Sequence, residues 1–205
     1  MRDYVGSDMR QVYFFTFLFF IHTLSAQNTT IKFEVLLDGD SIGTISAIKS
    51  ISGKKVVNNI SNNTDTKVFL LNIHVESEVY ATFENDILTG SFAYRHVSRG
   101  SENIETTVKY VPVNRYKVMK NGKERMFENS GIKFTVVDLY FKEPKGLNTL
   151  FSNTHGDFVP VRNSQPGYYD IFLPDGKTNT FIYQSGKLVR VEVPTAVGNV
   201  VFNRK

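Results

Sequence analysis

The feature that most constrains the fold of this chain is a short turn signal that occurs four times. Each copy places a residue that tolerates positive φ before a glycine, and a lysine follows the glycine. This is the chemistry of a two-residue β-hairpin loop, whose mirror-image turn matches the twist of the strands it joins. The chain is therefore predicted to be a series of antiparallel hairpins. The four copies are Ser52-Gly53-Lys54, Asn121-Gly122-Lys123, Asp175-Gly176-Lys177 and Ser185-Gly186-Lys187. Looser turn signals stand at Asp38-Gly39-Asp40, Glu84-Asn85-Asp86 and Ser98-Arg99-Gly100.

Segments between these turns alternate between apolar and polar residues. A period of two with one polar face is typical of antiparallel strands half buried on a core. We therefore predict an all-β fold, an antiparallel up-and-down meander of roughly ten strands curled into a barrel or clam, so that few strand edges stay bare. The shared apolar faces are Ile31, Phe33, Val35 and Leu37, then Phe69, Leu71, Ile73 and Val75, then Val189, Val191 and Val193.

One segment, between Gly131 and Pro144, departs from this alternation. Several of its apolar residues fall at helical spacing, and a proline ends a helix naturally. Its β-branched residues favour a strand instead. We predict a short helix near residues 132–142 that bridges two halves of the sheet, with a strand as the alternative. The residues at helical spacing are Ile132, Val136, Leu139 and Tyr140.

The first 26 residues have the tripartite pattern of a secretory signal peptide. Arg2 and Arg10 precede an apolar run of 13 residues at positions 12–24, and the small residues Ser25 and Ala26 follow it. Such a run is too short to cross about 30 Å of hydrocarbon comfortably. We therefore expect residues 1–26 to direct export and to be removed.

Cleavage after Ala26 would leave residues 27–205 as a single antiparallel β domain. Met9 is an alternative to Met1 as the expected start of translation, because Met9 also stands directly before an arginine and the apolar run. No later segment approaches the length of a membrane span. We expect an exported protein, periplasmic or secreted, without a transmembrane segment in its mature part.

Composition excludes several classes of function. Lys and Arg number 24 against 20 Asp and Glu, a net charge of +4, and the basic residues are scattered. Nucleic-acid binding needs basic charge gathered on one face, so it is not expected. The chain has no cysteine. This excludes disulfides, thiol catalysis and cysteine-ligated metals.

No metal or cofactor site is indicated by the spacing of ligand residues. His74, His96 and His155 do not stand at metal-ligand spacing from one another. Asp38 and Asp40 resemble the start of a calcium loop, but the rest of the loop and its closing glutamate are missing. We therefore predict no metal ion and no cofactor.

Catalytic patterns are equally weak. Ser152 and His155 could bring a hydroxyl near an imidazole, but no strand-turn-helix elbow frames the serine. Asp138, Glu143 and Asp175 could act as acids or bases, although their spacing defines no pair. A loop turn and solvated carboxylates explain these residues better, and no catalytic residue is assigned.

Several strings along residues 30–203 resemble a family of exported Bacteroidota proteins known as a domain of unknown function. The most specific are Leu139-Tyr140-Phe141-Lys142-Glu143-Pro144 and Leu173-Pro174-Asp175-Gly176-Lys177-x-Asn179. Others are Asp40-Ser41-Ile42-Gly43, Phe151-Ser152 before Gly156, and Phe181-Ile182-Tyr183-x-x-Gly186. In that family an acidic residue often follows the Phe-Ser pair, where this chain has Asn153. The resemblance implies export and a β fold, and it supplies no activity.

Three classes of function remain open. A curled antiparallel sheet can enclose a cavity, so the leading hypothesis is a non-enzymatic protein that binds an apolar or amphipathic ligand such as lipid. The second is a structural or protein-interaction module of the cell envelope, and the third is an enzyme that uses carboxylates. The sequence leaves the oligomeric state open. The residues expected to line such a cavity or to carry the structural motifs are Phe92, Tyr94, His96, Tyr140, Glu143, Asn179 and Tyr183.

Overall fold

We describe the fold from a computed structural model, in which residues 27–68, 71–99, 103–195 and 198–205 are described. The predicted signal peptide, Phe69 and Gly100 lie outside these residues. The described chain forms 14 strands and one short helix. The strands are β1 (Gln27–Leu37), β2 (Asp40–Ser52), β3 (Lys55–Val68), β4 (Leu71–Glu84), β5 (Ile87–Val97), β6 (Ile104–Val111), β7 (Arg115–Lys120), β8 (Lys123–Glu128), β9 (Thr149–Ser152), β10 (Asp157–Gln165), β11 (Tyr168–Phe172), β12 (Thr178–Gln184), β13 (Lys187–Thr195) and β14 (Gly198–Arg204).

These strands form one antiparallel sheet in which consecutive strands pair, except that β8 and β9 are the two edges and β1 pairs with β14. The order runs from β8 down to β1, then from β14 down to β9, so β1 and β14 join the two arms. The predicted all-β meander is confirmed, with 14 strands where roughly ten were predicted. Turns such as Pro112–Asn114 carry no glycine-lysine signal, which is why the count fell short. The sheet is not closed, since β8 and β9 are its two edges.

Three of the four glycine-lysine signals form the two-residue loops that were predicted. At the β7–β8 turn, Asn121 and Gly122 both have positive φ, at 47° and 78°. The prediction is wrong for the Asp175 copy, where the loop between β11 and β12 has five residues. Leu173 donates its N–H to the carbonyl of Lys177 at 2.8 Å and closes this wider loop. Pro174, which has no N–H and a fixed φ, suits a loop better than a strand end.

The connecting segment between β8 and β9, residues 129–148, covers one face of the sheet, which we call the inner face. Cross-strand register places Ala47, Ile60 and Val79 side by side on this face. The largest core cluster combines inner-face residues with buried side chains of the connecting segment. In one such contact the rings of Phe33 and Tyr140 meet edge to face, 5.5 Å apart. Burial of the inner face of the sheet therefore depends on the connecting segment.

Of the short helix predicted near residues 132–142, residues 132–134 are irregular, and the structure shows only one 3-10 turn, the five-residue 3-10 helix Val136–Tyr140 in the connecting segment. Its start is fixed by Asp138, whose Oδ2 accepts hydrogen bonds from the N–H of Thr135 at 2.7 Å and from the Thr135 hydroxyl at 2.8 Å. This reciprocal cap satisfies donors that a short helix leaves open. In the described part of the chain, no helix is long and apolar enough to cross a membrane.

Side chains join the two edges of the sheet where no backbone ladder does. Arg125 of β8 donates a hydrogen bond to the carbonyl of Gly156 and lies 3.2 Å from the carboxylate of Asp157. The buried hydroxyl of Thr106 on β6 donates to the carbonyl of Thr154 at 2.8 Å. These contacts seat the β9–β10 turn, residues 153–156, on the inner face.

Candidate ligand cavity

The inner face and the connecting segment bound a cavity of about 180 Å³. Strands β2, β3, β4 and β14 form one side, while the 3-10 helix and the β9–β10 turn form the other. Its apolar walls are Ile45, Ile60, Val79, Val136, Val137 and Phe202. Its polar lining is Asn62, Ser77, Tyr140, Asn153 and Thr154. An apolar pocket with a few polar groups is the usual form of a small-molecule site.

Asn153 is the most deeply buried polar residue of this lining, with a relative exposure of 1%. The turn that carries it is tightly held, because Gly156 donates its N–H to the carbonyl of Ser152 at 2.7 Å. The hydroxyl of Ser152 also lies 3.0 Å from Nδ1 of His155. Within the described chain, neither Oδ1 nor Nδ2 of Asn153 has a hydrogen-bond partner. A buried amide without partners is rare in native proteins and calls for a reason.

Two further polar residues line the same cavity. Asn62 lies on β3 opposite Ile45 in register, and its Oδ1 is buried without a partner in the described chain. Tyr140 contributes a phenol from the 3-10 helix, and burial raises the pKa of this phenol well above its ordinary value. Tyr140 therefore stays neutral under all physiological conditions. The cavity lining thus offers neutral hydrogen-bonding groups.

A second hollow, an open groove of about 910 Å³, contains Glu143 and Tyr183. The hydroxyl of Tyr169 donates to Oε1 of Glu143 at 2.9 Å, and the Tyr183 hydroxyl donates to the carbonyl of Leu139 at 2.6 Å. Burial, followed by the hydrogen bond to Glu143, raises the pKa of Tyr169 to about 12. These bonds fasten the connecting segment to β11 and β12. The Leu-Tyr-Phe-x-Glu-Pro string is thereby explained as packing.

The other residues singled out in the sequence lie elsewhere. Phe92, Tyr94 and His96 are on the outer face of β5, because the alternate residues Ser91 and Ala93 are buried on the inner face. Rings on that outer face also meet, since Tyr80 and Phe92 lie 5.7 Å apart. Among the residues singled out as lining, Tyr140 is the one that the structure places in the cavity.

Asn179 lies on β12 opposite Ile171, which is buried on the inner face. Its Oδ1 is buried and has no partner within the described chain, but Asn179 lines neither the cavity nor the groove.

The three carboxylates considered for catalysis are held separately. Asp138 caps the 3-10 helix and accepts a hydrogen bond from Nδ2 of Asn58 at 2.7 Å. Glu143 is bound by Tyr169, and Asp175 lies 3.4 Å from the ammonium of Lys177 in its own loop. Each carboxylate therefore has a structural partner of its own. Ser152, at 2% exposure, accepts the N–H of His155 and shapes the β9–β10 turn.

Sequence reasoning did not single out Asn62 or Asn153 as site residues. Asn62 stands in the polar run Ser61-Asn62-Asn63, which looks like solvated strand surface. Asn153 stands in a loop string rich in polar residues, and its departure from the family pattern was the one signal at that position. Both become site residues through contacts between elements that are distant in sequence.

The fold and site define a class of protein: one antiparallel meander sheet folded around its own connecting segment, with a small amphipathic cavity between them. The chain belongs to the family described as domain of unknown function DUF6134, whose model matches residues 33–205. No curated protein and no solved structure matches the chain. The matched range includes every residue of the cavity.

Proposed function

We propose that this protein is exported and binds one small amphipathic molecule in the cavity between the inner face and the 3-10 helix. The observation that carries the proposal is Asn153, a buried amide beside apolar walls whose two polar atoms have no partner among the described residues. Leaving such a group unpaired costs about 1–3 kcal/mol. A bound molecule with one polar end would satisfy the amide, and its apolar part would occupy the walls.

The size of the cavity limits the ligand. An apolar cavity of about 150 Å³ in another protein accommodates benzene. A cavity of about 180 Å³ therefore suits a single ring or one short chain with a polar end. In terms of lipids, the cavity suits a single-chain molecule better than a diacyl one.

Export rests on the N-terminal segment, whose basic residues, short apolar core and small residues at the boundary are typical of a cleaved signal. The resemblance to exported Bacteroidota proteins points the same way, to a periplasmic or secreted protein. Expression of the full chain in a Gram-negative host followed by fractionation would test this. We expect intact mass to show a mature form that begins at Gln27. Retention of residues 1–26 on a cytoplasmic product would contradict export.

Binding would be tested by isothermal titration calorimetry of the mature chain with octanoate and with octanamide. We expect at least one probe to bind with one site per chain. Val79→Phe fills the cavity and should abolish this binding, because Val79 lines one wall. Val57→Phe, on the outer face of the neighbouring strand, is the matched control and should leave binding intact. Absence of binding by both probes, or equal binding by the Val79→Phe variant, would overturn the proposal.

A further inference from the structure

A half-buried arginine stands beside the polar end of the cavity. Ser77, which lines the cavity, pairs in register with Asn62 on one side and with Arg95 on the other. Directly opposed residues of an antiparallel sheet project to the same face. Asn62, Ser77 and Arg95 therefore form one polar row across the inner face, next to the apolar row that contains Val79 and Ala93.

Arg95 has no ion pair and no hydrogen bond to a protein group within the described residues, and its Nε is buried. A buried N–H of a guanidinium normally has an acceptor as its partner. Arg95 thus resembles Asn153, because each has a buried polar side-chain atom on this side of the sheet without a partner among the described residues.

Both basic and acidic side chains surround this position. His155, on the β9–β10 turn, has its pKa lowered by burial first and then by the neighbouring Lys120 and Arg95. The two carboxylates that act on His155 in the opposite sense, Asp175 and Asp157, are themselves engaged by Lys177 and Arg125. Neither Lys120 nor Arg95 forms an ion pair within the described residues, so the region between the turn and β5 holds two unpaired positive charges.

Resting on the proposed function, we infer that the ligand of the cavity is a single-chain carboxylate whose head group pairs with Arg95. Its chain lies against Ile60, Val79 and Phe202, and one carboxylate oxygen accepts a hydrogen bond from Nδ2 of Asn153. A guanidinium and a carboxylate match in geometry and form charge-assisted hydrogen bonds. Arg95 would therefore select the head group, while the apolar walls select the chain.

Octanoate and octanamide share a chain and differ in head-group charge, so their comparison isolates the role of Arg95. We expect octanoate to bind the mature chain at least about tenfold more tightly than octanamide at neutral pH. Arg95→Gln should reduce octanoate affinity to about that of octanamide, because the charge that distinguishes the two head groups is gone. Arg115→Gln removes the same charge at an exposed strand end and should preserve the preference.

The outcomes separate this inference from the proposed function. Equal affinities for the two probes in the unmodified protein, or an octanoate preference that survives Arg95→Gln, would overturn the head-group assignment while the cavity still binds. Failure of both probes to bind would overturn the proposed function, which is ligand binding in this cavity. Circular dichroism and urea denaturation of Arg95→Gln would show that the variant is folded.

Discussion

The phenol oxygen of Tyr116 accepts a hydrogen bond from the backbone N–H of Ile132 at 3.0 Å. The same hydroxyl donates to the carbonyl of Leu88 at 3.0 Å, and Leu88 donates its N–H to the carbonyl of Ile132 at 2.8 Å. All three residues are buried. One side chain of β7 therefore ties the start of the connecting segment to β5, where the segment turns onto the inner face.

Tyr116→Phe keeps the ring and removes this hydroxyl. The buried N–H of Ile132 loses its acceptor, so we expect the free energy of unfolding to fall by about 2 kcal/mol. Urea denaturation followed by fluorescence or circular dichroism would measure the loss. Tyr110→Phe is the control, because the Tyr110 hydroxyl makes an exposed contact of 3.4 Å with Asn114. Equal stabilities of the two variants would contradict an anchoring role for Tyr116.

The hairpins were predictable from sequence because their signals are local. A residue that tolerates positive φ followed by glycine acts within the turn itself, as at Asn121-Gly122. The loop at Asp175 has the same kind of turn signal, Asp-Gly-Lys, but Pro174 precedes the signal and the loop has five residues instead of two. Local chemistry thus predicted where the chain turns and did not always predict the length of the loop.

The inner face was harder to predict because it depends on the connecting segment. On β5 the large aromatic residues lie outside, whereas Ser91 and Ala93 lie inside, beneath other elements. Small residues permit close approach of the covering chain, and alternation alone does not reveal which face is covered. The cavity escaped prediction for the same reason, since Asn62 and Asn153 meet there only after β3 and the β9–β10 turn come together.

The β9–β10 turn should be sensitive to any added side chain. Gly156 has φ of +67°, and a Cβ there would meet Cγ1 of Val118 at 2.5 Å. Gly122 has φ of +78°, and no atom of the described residues lies within 4 Å of its added Cβ. We expect Gly122→Ala to cost about 1 kcal/mol from backbone strain. Gly156→Ala should cost about 2 kcal/mol more, because overpacking adds to the strain. Chemical denaturation of both variants would measure this difference, and equal losses would contradict the close seating of the turn on β7.

Asp138 should make stability depend on pH. Burial raises the pKa of this carboxyl above its ordinary value, although hydrogen bonds from Thr135 and Asn58 and the charge of Lys49 oppose the shift. A raised pKa in the folded state means that protonation favours folding. This contribution is present in acid and is lost as the pH rises through the folded-state pKa.

The Asp138→Asn variant lacks that titration. We therefore expect the difference in unfolding free energy between the unmodified protein and Asp138→Asn to be largest near about pH 4 and to shrink toward pH 7. Urea denaturation of both proteins across this range would measure the difference. A difference that stayed constant or grew with pH would contradict the raised pKa of Asp138.

Asn153 and Asn58 are equally buried asparagines, each about 1% exposed, and should respond in opposite ways to the same substitution. Asn58→Leu removes the donor to Asp138 and leaves a buried carboxyl without that partner, so we expect a loss of about 2 kcal/mol. Asn153→Leu removes an amide that has no partner in the described part of the protein. The free energy of unfolding of the ligand-free protein should then rise by about 1 kcal/mol, because a buried polar group is replaced by an apolar one of similar size.

The Asn153→Leu variant should also lose octanoate binding, since the amide that binds the head group is gone. A stability gain together with lost binding would show that Asn153 serves ligand binding and lowers the stability of the ligand-free protein. A stability loss as large as that of Asn58→Leu would instead assign Asn153 a structural role in the turn.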